Sequence, residues 1–231
     1  MRLLVSVRTV EEALLAADGG ADFIDLKEPS AGALGGLPVA TIRAIVAALR
    51  EHGRGLPVSA TIGDLPMDDV PAILARVSEV GDCGVDYVKV GITREPAAAP
   101  VLAALAHCRH PVVPVFIADS GLDADLIGRA CALRFPALMA DTADKQAGSL
   151  FDAVRLPDLQ RFVTQVRSVG AMVGLAGALR MHHLPELQLL SPDFAGFRTA
   201  VCKGDRRAAL DLDRLRELVA LMRALAESVE A

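Results

Sequence analysis

LLVSVRTVEEALLAADGGADFIDLK, residues 3–27, contains two short apolar runs separated by one helix-length segment. The first run, Leu3–Val7, has strand length and strand composition. Thr9 followed by Glu12 three residues later marks a helix start, and the amphipathic stretch Val10–Ala17 continues it. The second run, Phe23–Lys27, reads as another strand. An open doubly wound sheet would be expected to carry a G-x-G-x-x-G turn after its first strand. Here Val7 runs directly into Arg8, Thr9 and Val10, with no glycine turn.

The same alternation repeats outward at roughly 25 to 30 residues. Further strands are expected at Val58–Gly63, Tyr87–Gly91, Val112–Ile117, Ala137–Asp141, Met172–Gly177 and Phe194–Thr199. Further helices are expected at Pro38–His52, Val70–Val80, Ala97–His107, Leu122–Leu133, Leu156–Val169, Arg180–Leu190 and Leu212–Ser228. Asp123 and the Pro157–Asp158 pair mark two of these helix starts. Eight strands alternating with eight helices predict a single-domain α/β fold, a (β/α)8 TIM barrel spanning residues 1–231. The 231 residues fall slightly short of the usual barrel, which implies short loops.

Composition narrows the functional classes. The chain is 52% hydrophobic with a net charge of -5, so a large core is expected and no basic stripe supports nucleic-acid binding. With no Trp and one Tyr, it lacks stacking platforms for bases. Charges interrupt every apolar run before about 18 residues, which argues against a membrane protein. The N-terminus lacks a signal-peptide layout, and Cys83, Cys108, Cys131 and Cys202 show no C-x-x-C spacing, so reduced thiols in a cytoplasm are expected. No histidine pattern suggests a metal, and no organic cofactor is expected.

Lysine is scarce. Of 24 basic residues four are lysine: Lys27, Lys89, Lys145 and Lys203. All four fall at or just beyond the ends of predicted strands, on the barrel face where active sites lie. Arginine stays protonated, whereas lysine forms a Schiff base with a carbonyl when its pKa is lowered. Asp25 sits two residues before Lys27 and therefore shares its barrel-facing side. Lys89 faces inward if Tyr87 does. Asp141 and Lys145 bracket a loop that joins acid to amine, suited to proton transfer. Asp64 and Asp119 also end strands, where a lone aspartate more often caps a helix.

Phosphate chemistry is suggested by the last two strand ends. Gly177 allows close backbone approach, and Arg198, Lys203, Gly204 and Arg206 follow strand eight with positive charge and a turn. The loop Gly32–Gly36 is placed to cover a substrate. A phosphorylated small molecule is the expected partner. A homo-oligomer is left open, because burial of the last helix against the barrel explains its Met and Leu equally well.

These residues carry a family resemblance. Phe23-Ile24-Asp25-Leu26-Lys27-Glu28-Pro29 followed by Gly32-Ala33-Leu34-Gly35 resembles the D-x-K-x-P…G-x-L-G signature of (5-formylfuran-3-yl)methyl phosphate synthases. Val58–Asp64, Tyr87–Gly91, Asp141-Thr142-Ala143 with Lys145, Leu175–Leu179 and Arg198–Cys202 extend the likeness in collinear order. The resemblance implies a lyase of methanofuran biosynthesis that condenses two molecules of glyceraldehyde 3-phosphate with release of phosphate and water. It implies Lys27 as Schiff-base nucleophile and Lys89 as proton acceptor. Asp25, Asp141 and Lys145 would assist proton transfers, and the strand-eight loop would hold a phosphate. A Schiff-base aldolase acting on another phosphosugar, and a catalytically silent barrel that binds a phosphometabolite, are the competing readings.

Overall fold

Each strand must bury both faces, because helices cover a parallel barrel outside and side chains fill it inside. The computed structural model describes residues 1–32 and 34–230, with the side chains of residues 228–230 excepted. Strands β1 (Arg2–Val7), β2 (Phe23–Leu26), β3 (Val58–Thr61), β4 (Tyr87–Ile92), β5 (Val112–Ile117), β6 (Ala137–Asp141), β7 (Met172–Leu175) and β8 (Phe194–Phe197) close into a barrel. Every neighbouring pair is parallel, and β8 returns to β1.

The crossovers are α1 (Val10–Gly19), α2 (Val39–His52), α3 (Val70–Gly81), α4 (Ala98–Leu105), α5 (Ala124–Ala132), α7 (Leu156–Ser168) and α8 (Leu184–Leu190), with a short α6 (Leu150–Ala153) before α7. Helix α9 (Leu212–Glu230) ends the described chain. Thr9, Asp69 and Asp123 cap α1, α3 and α5 by accepting from the first-turn amides.

The differences from the expected elements lie at their ends. Strands β2, β3, β7 and β8 stop one or two residues early, although the amides of Lys27, Ile62 and Ala176 still donate to the neighbouring strands. The helix expected at Arg180–Leu190 begins as a 3-10 turn over Met181–His183. Helix α6 was not anticipated.

Alternation along β2 shows how the strands divide the core. Ile24 and Leu26 point out and pack with helix residues such as Ala13, Ile45 and Leu49. Phe23 points into the barrel, in a smaller cluster with Leu4, Val113, Val115, Met139 and Phe194. Phe23 and Phe194 stack at 5.5 Å between centroids at the N-terminal end, with the Arg2 guanidinium 4.7 Å above Phe23. At the opposite end the inward residues become polar. Ser6, Asp25 and Ser59 stand side by side in the register of β1, β2 and β3.

Candidate active site

The C-terminal mouth of the barrel is a cavity lined by Ser6, Asp25, Lys27, Lys89, Asp141 and Lys145 on one side. Gly177, Ala178, Thr199 and Arg206 line the other. Inward periodicity on β2 and β4 aims Asp25, Lys27 and Lys89 at one point. Lys89 Nζ lies 2.8 Å from Asp25 Oδ1. The same oxygen accepts the Ser59 hydroxyl at 2.6 Å, and Oδ2 accepts the Ser6 hydroxyl at 3.1 Å. Burial alone would push the Asp25 carboxyl up. The Lys89 and Lys27 ammoniums and the hydrogen bonds from Lys89 and Ser59 outweigh it, so Asp25 lies below its ordinary value.

Asp141 is the second hub. Its Oδ2 accepts from Lys27 Nζ at 3.2 Å. Its Oδ1 accepts from Lys145 Nζ and from the Thr142 amide, the latter at 2.8 Å. Burial raises this carboxyl, yet Lys145 and Lys27 together hold it far below the usual carboxylate range. Lys145 also donates to the Thr142 carbonyl and, at 3.2 Å, to its hydroxyl. Burial lowers the Lys145 amine; Asp141 opposes this, while Lys27 and Arg206 reinforce it.

The cluster therefore holds three amines against two carboxylates. A buried unpaired charge is costly, so this imbalance favours one neutral amine.

The loop carrying Lys145 is wound back onto β6 by carboxylates. Asp119 accepts the amides of Ala143 at 2.6 Å and Asp144 at 2.8 Å. Asp144 then accepts those of Gln146 and Ala147. Asp119 and Asp64 thus serve the loops and do not touch the amines. Asp64 accepts the Leu34 amide at 3.1 Å, while the Gly35 carbonyl accepts the Glu28 amide and the Thr61 hydroxyl. Leu34 and Gly35 are consequently tied down, and Leu34 is buried in the barrel mouth. Ala33 lies outside the described residues.

Three of the four lysines meet here; Lys203 does not. It is exposed and lies outside the lining of the mouth, its amide bound to the Ala209 carbonyl. Gly204 lines an outer cleft with Arg180, Arg206 and Arg207. Gly177 does stand at the mouth, with φ +113°, where a Cβ would come within 3.0 Å of the Thr142 hydroxyl.

Arg198 also lines the mouth. The sequence suggests it as a phosphate ligand, but its guanidinium is spent internally. Nε donates to the Arg206 carbonyl, Nη1 to Ser6 O and Glu12 Oε2, and Nη2 to Glu12 Oε1 and Ala208 O. All five N–H donors of an arginine are thereby engaged. Arg206 lines the same mouth. Among the described residues no hydrogen bond or ion pair engages its guanidinium, which shares the lining of the mouth with Asp141. Ser6 and Ser59 were missed because small inward serines carry no signal until a carboxylate is known to stand between them.

The family model for 4-HFC-P synthase matches residues 3–219. The chain belongs to the 4-HFC-P synthase family.

A protein of Methylorubrum extorquens, provisionally named a (5-formylfuran-3-yl)methyl phosphate synthase, is 41% identical over 96% of this chain and 92% of its own. The (5-formylfuran-3-yl)methyl phosphate synthase of Archaeoglobus fulgidus is 35% identical over 95% and 96%. Among solved structures, phosphoribosyl anthranilate isomerase from Thermus thermophilus superposes with a TM-score of 0.67 at 20% identity, covering 97% of this chain and 100% of that one. That likeness concerns the barrel fold alone.

Proposed function

We propose that this chain is a (5-formylfuran-3-yl)methyl phosphate synthase that condenses two molecules of glyceraldehyde 3-phosphate through a Schiff base on Lys27. The observation that carries the reading is the buried Lys27–Asp141–Lys145 bridge beside Asp25–Lys89, in a chain whose relatives bear the synthase name.

In this reading Lys27 passes a proton to Lys145, and the amine so freed attacks the aldehyde carbon; loss of water leaves an imine. The imine withdraws electrons and acidifies the adjacent C–H. Lys89, having given its proton to the hydroxyl that left as water, accepts the C–H proton, and the resulting enamine attacks the second aldehyde. Loss of phosphate and, overall, two water molecules forms the aromatic furan, and hydrolysis of the imine releases the aldehyde and restores the Lys27 amine. Asp25 and Asp141 lie below the ordinary carboxylate range, which suits anions that orient amines and stabilise an iminium, rather than groups that carry protons. Lys145, lowered by burial, suits the role of proton acceptor for Lys27. Arg206, with the close backbone approach at Gly177, is the phosphate anchor of this scheme. A soluble cytoplasmic enzyme accords with it, and no helix among the described residues is long and apolar enough to cross a membrane.

The test is intact-protein mass spectrometry after borohydride reduction with glyceraldehyde 3-phosphate, comparing wild type with Lys27→Arg. The expected result is an adduct on wild type alone, together with a furan chromophore in the unreduced reaction. An adduct without a furan would transfer the reading to an aldolase. Absence of both would leave a phosphometabolite-binding barrel.

A further inference from the structure

Glu12 lies on α1, far in sequence from the phosphate loop, yet it is buried against it. Its side chain is 10% exposed and that of Arg198 is 9% exposed. Both carboxylate oxygens accept from Arg198, Oε2 on Nη1 and Oε1 on Nη2 at 3.0 Å. The same carboxylate accepts the Arg8 amide at 3.0 Å and the Leu210 amide at 3.3 Å. Arg198 in turn holds the carbonyls of Arg206 at 2.9 Å and Ala208 at 2.8 Å. Arg8 holds the carbonyl between them, Arg207, at 2.7 Å.

Three consecutive carbonyls, of residues 206–208, are therefore fastened by two guanidiniums, one of them locked by Glu12. Arg198 Nη1 also reaches the Ser6 carbonyl, while the Ser6 hydroxyl holds Asp25. Otherwise the loop is tied to the barrel chiefly at its base, by the Cys202–Leu210 bridge and the Asp211 amide on Val201.

We propose that Glu12 and Arg198 are positioning residues that fix the 203–209 loop so that the Arg206 guanidinium stands over the amine cluster and binds the phosphate of the substrate. This rests on the reading of Arg206 as the phosphate anchor. A buried ion pair is rarely the most stabilising filling for a core, because both charges are desolvated. A bidentate guanidinium with three carbonyl partners does, however, define one loop geometry. Freed from it, the loop samples other conformations, and only a fraction of molecules presents Arg206. The apparent affinity falls by that fraction.

The experiment is calorimetric titration of inorganic phosphate into wild type, Glu12→Gln, Arg206→Ala and the double variant, with steady-state kinetics on glyceraldehyde 3-phosphate alongside. Arg206→Ala is expected to weaken phosphate by about tenfold or more, and Glu12→Gln by about three- to tenfold, with KM rising more than kcat falls. In the Arg206→Ala background, Glu12→Gln is expected to add less than about twofold, because it acts through Arg206. Equal effects in both backgrounds would overturn the positioning role alone. Unchanged phosphate affinity in Arg206→Ala would overturn the anchor and the proposal with it. Failure of wild type to turn over glyceraldehyde 3-phosphate would sink the reaction while leaving the phosphate titration to decide the clamp. If Glu12→Gln does not fold, Arg198→Lys, which keeps the charge but loses the fork, replaces it in the same cycle.

Discussion

Lys89 Nζ lies 2.8 Å from Asp25 Oδ1 inside the barrel, with both side chains 4% exposed. The two residues come from β4 and β2, and Ser59 on the intervening β3 donates to the same oxygen. A pair so deeply buried is fragile to the loss of one member. Lys89→Ala leaves a carboxylate held by two serines, and a destabilisation of about 3–5 kcal/mol is expected. Lys89→Arg keeps the charge but cannot give up its proton. It is expected to stay folded with kcat lower by about 10²–10⁴-fold. Urea melts and furan absorbance measure the two effects, and an active Lys89→Arg enzyme would remove Lys89 from the proton chemistry.

Lys145 sets a pH dependence. Burial lowers this amine below the ordinary lysine range, so activity that needs it neutral should rise as pH climbs through that lowered value. Lys145→Arg is expected to lose this limb of the kcat/KM profile along with most of its rate, about 10²–10⁴-fold. A variant that kept the wild-type limb would assign the titration to another group.

Acid stability follows from the two carboxylates. Asp25 and Asp141 have folded-state pKa values below those of the unfolded chain. The unfolded state therefore takes up protons first, and the stability the two contribute is fully present above the unfolded value of about 3.9. It is lost as pH falls through the folded values. Asp141→Asn is expected to be less stable than wild type near neutrality and to lose less on acidification from about pH 6 to pH 3. Parallel stability curves would contradict that.

Gly174 tests the packing beneath the site. A Cβ there would fall 2.2 Å from the Phe194 ring, which is itself stacked on Phe23. Gly174→Ala should cost about 1–3 kcal/mol through overpacking, and Phe194→Leu should recover part of it. A thermal melt of the two single variants and the double variant reads the coupling, and additive losses would argue against contact.

Much of this molecule was legible along the chain. Helix α1 begins at Thr9 as its spacing with Glu12 suggests, and Asp123 caps α5. Asp25 and Lys27 share a face because a strand repeats every two residues, so their meeting in the mouth needed no long-range information. Asp141 and Lys145 are close because four residues of loop return one to the other. The internal partners of Arg198 were not legible, for the opposite reason. Its strand-end position resembles a ligand's, and nothing near it in sequence names its true partner, which lies 186 residues away.

The sequence by itself determined the order of strands and helices, the single barrel and the gathering of lysines at one face, since hydrophobic period and strand polarity are local properties. Tertiary structure alone decided which charges are paired and which are free. Closure of β8 onto β1 brings Glu12 to Arg198 and occupies that guanidinium. It leaves Arg206, three residues beyond Lys203, in the mouth with no hydrogen bond or ion pair on its guanidinium among the described residues. Ion pairing depends on distance in space and on what else competes for each donor, and neither can be read from a residue's neighbours in the chain.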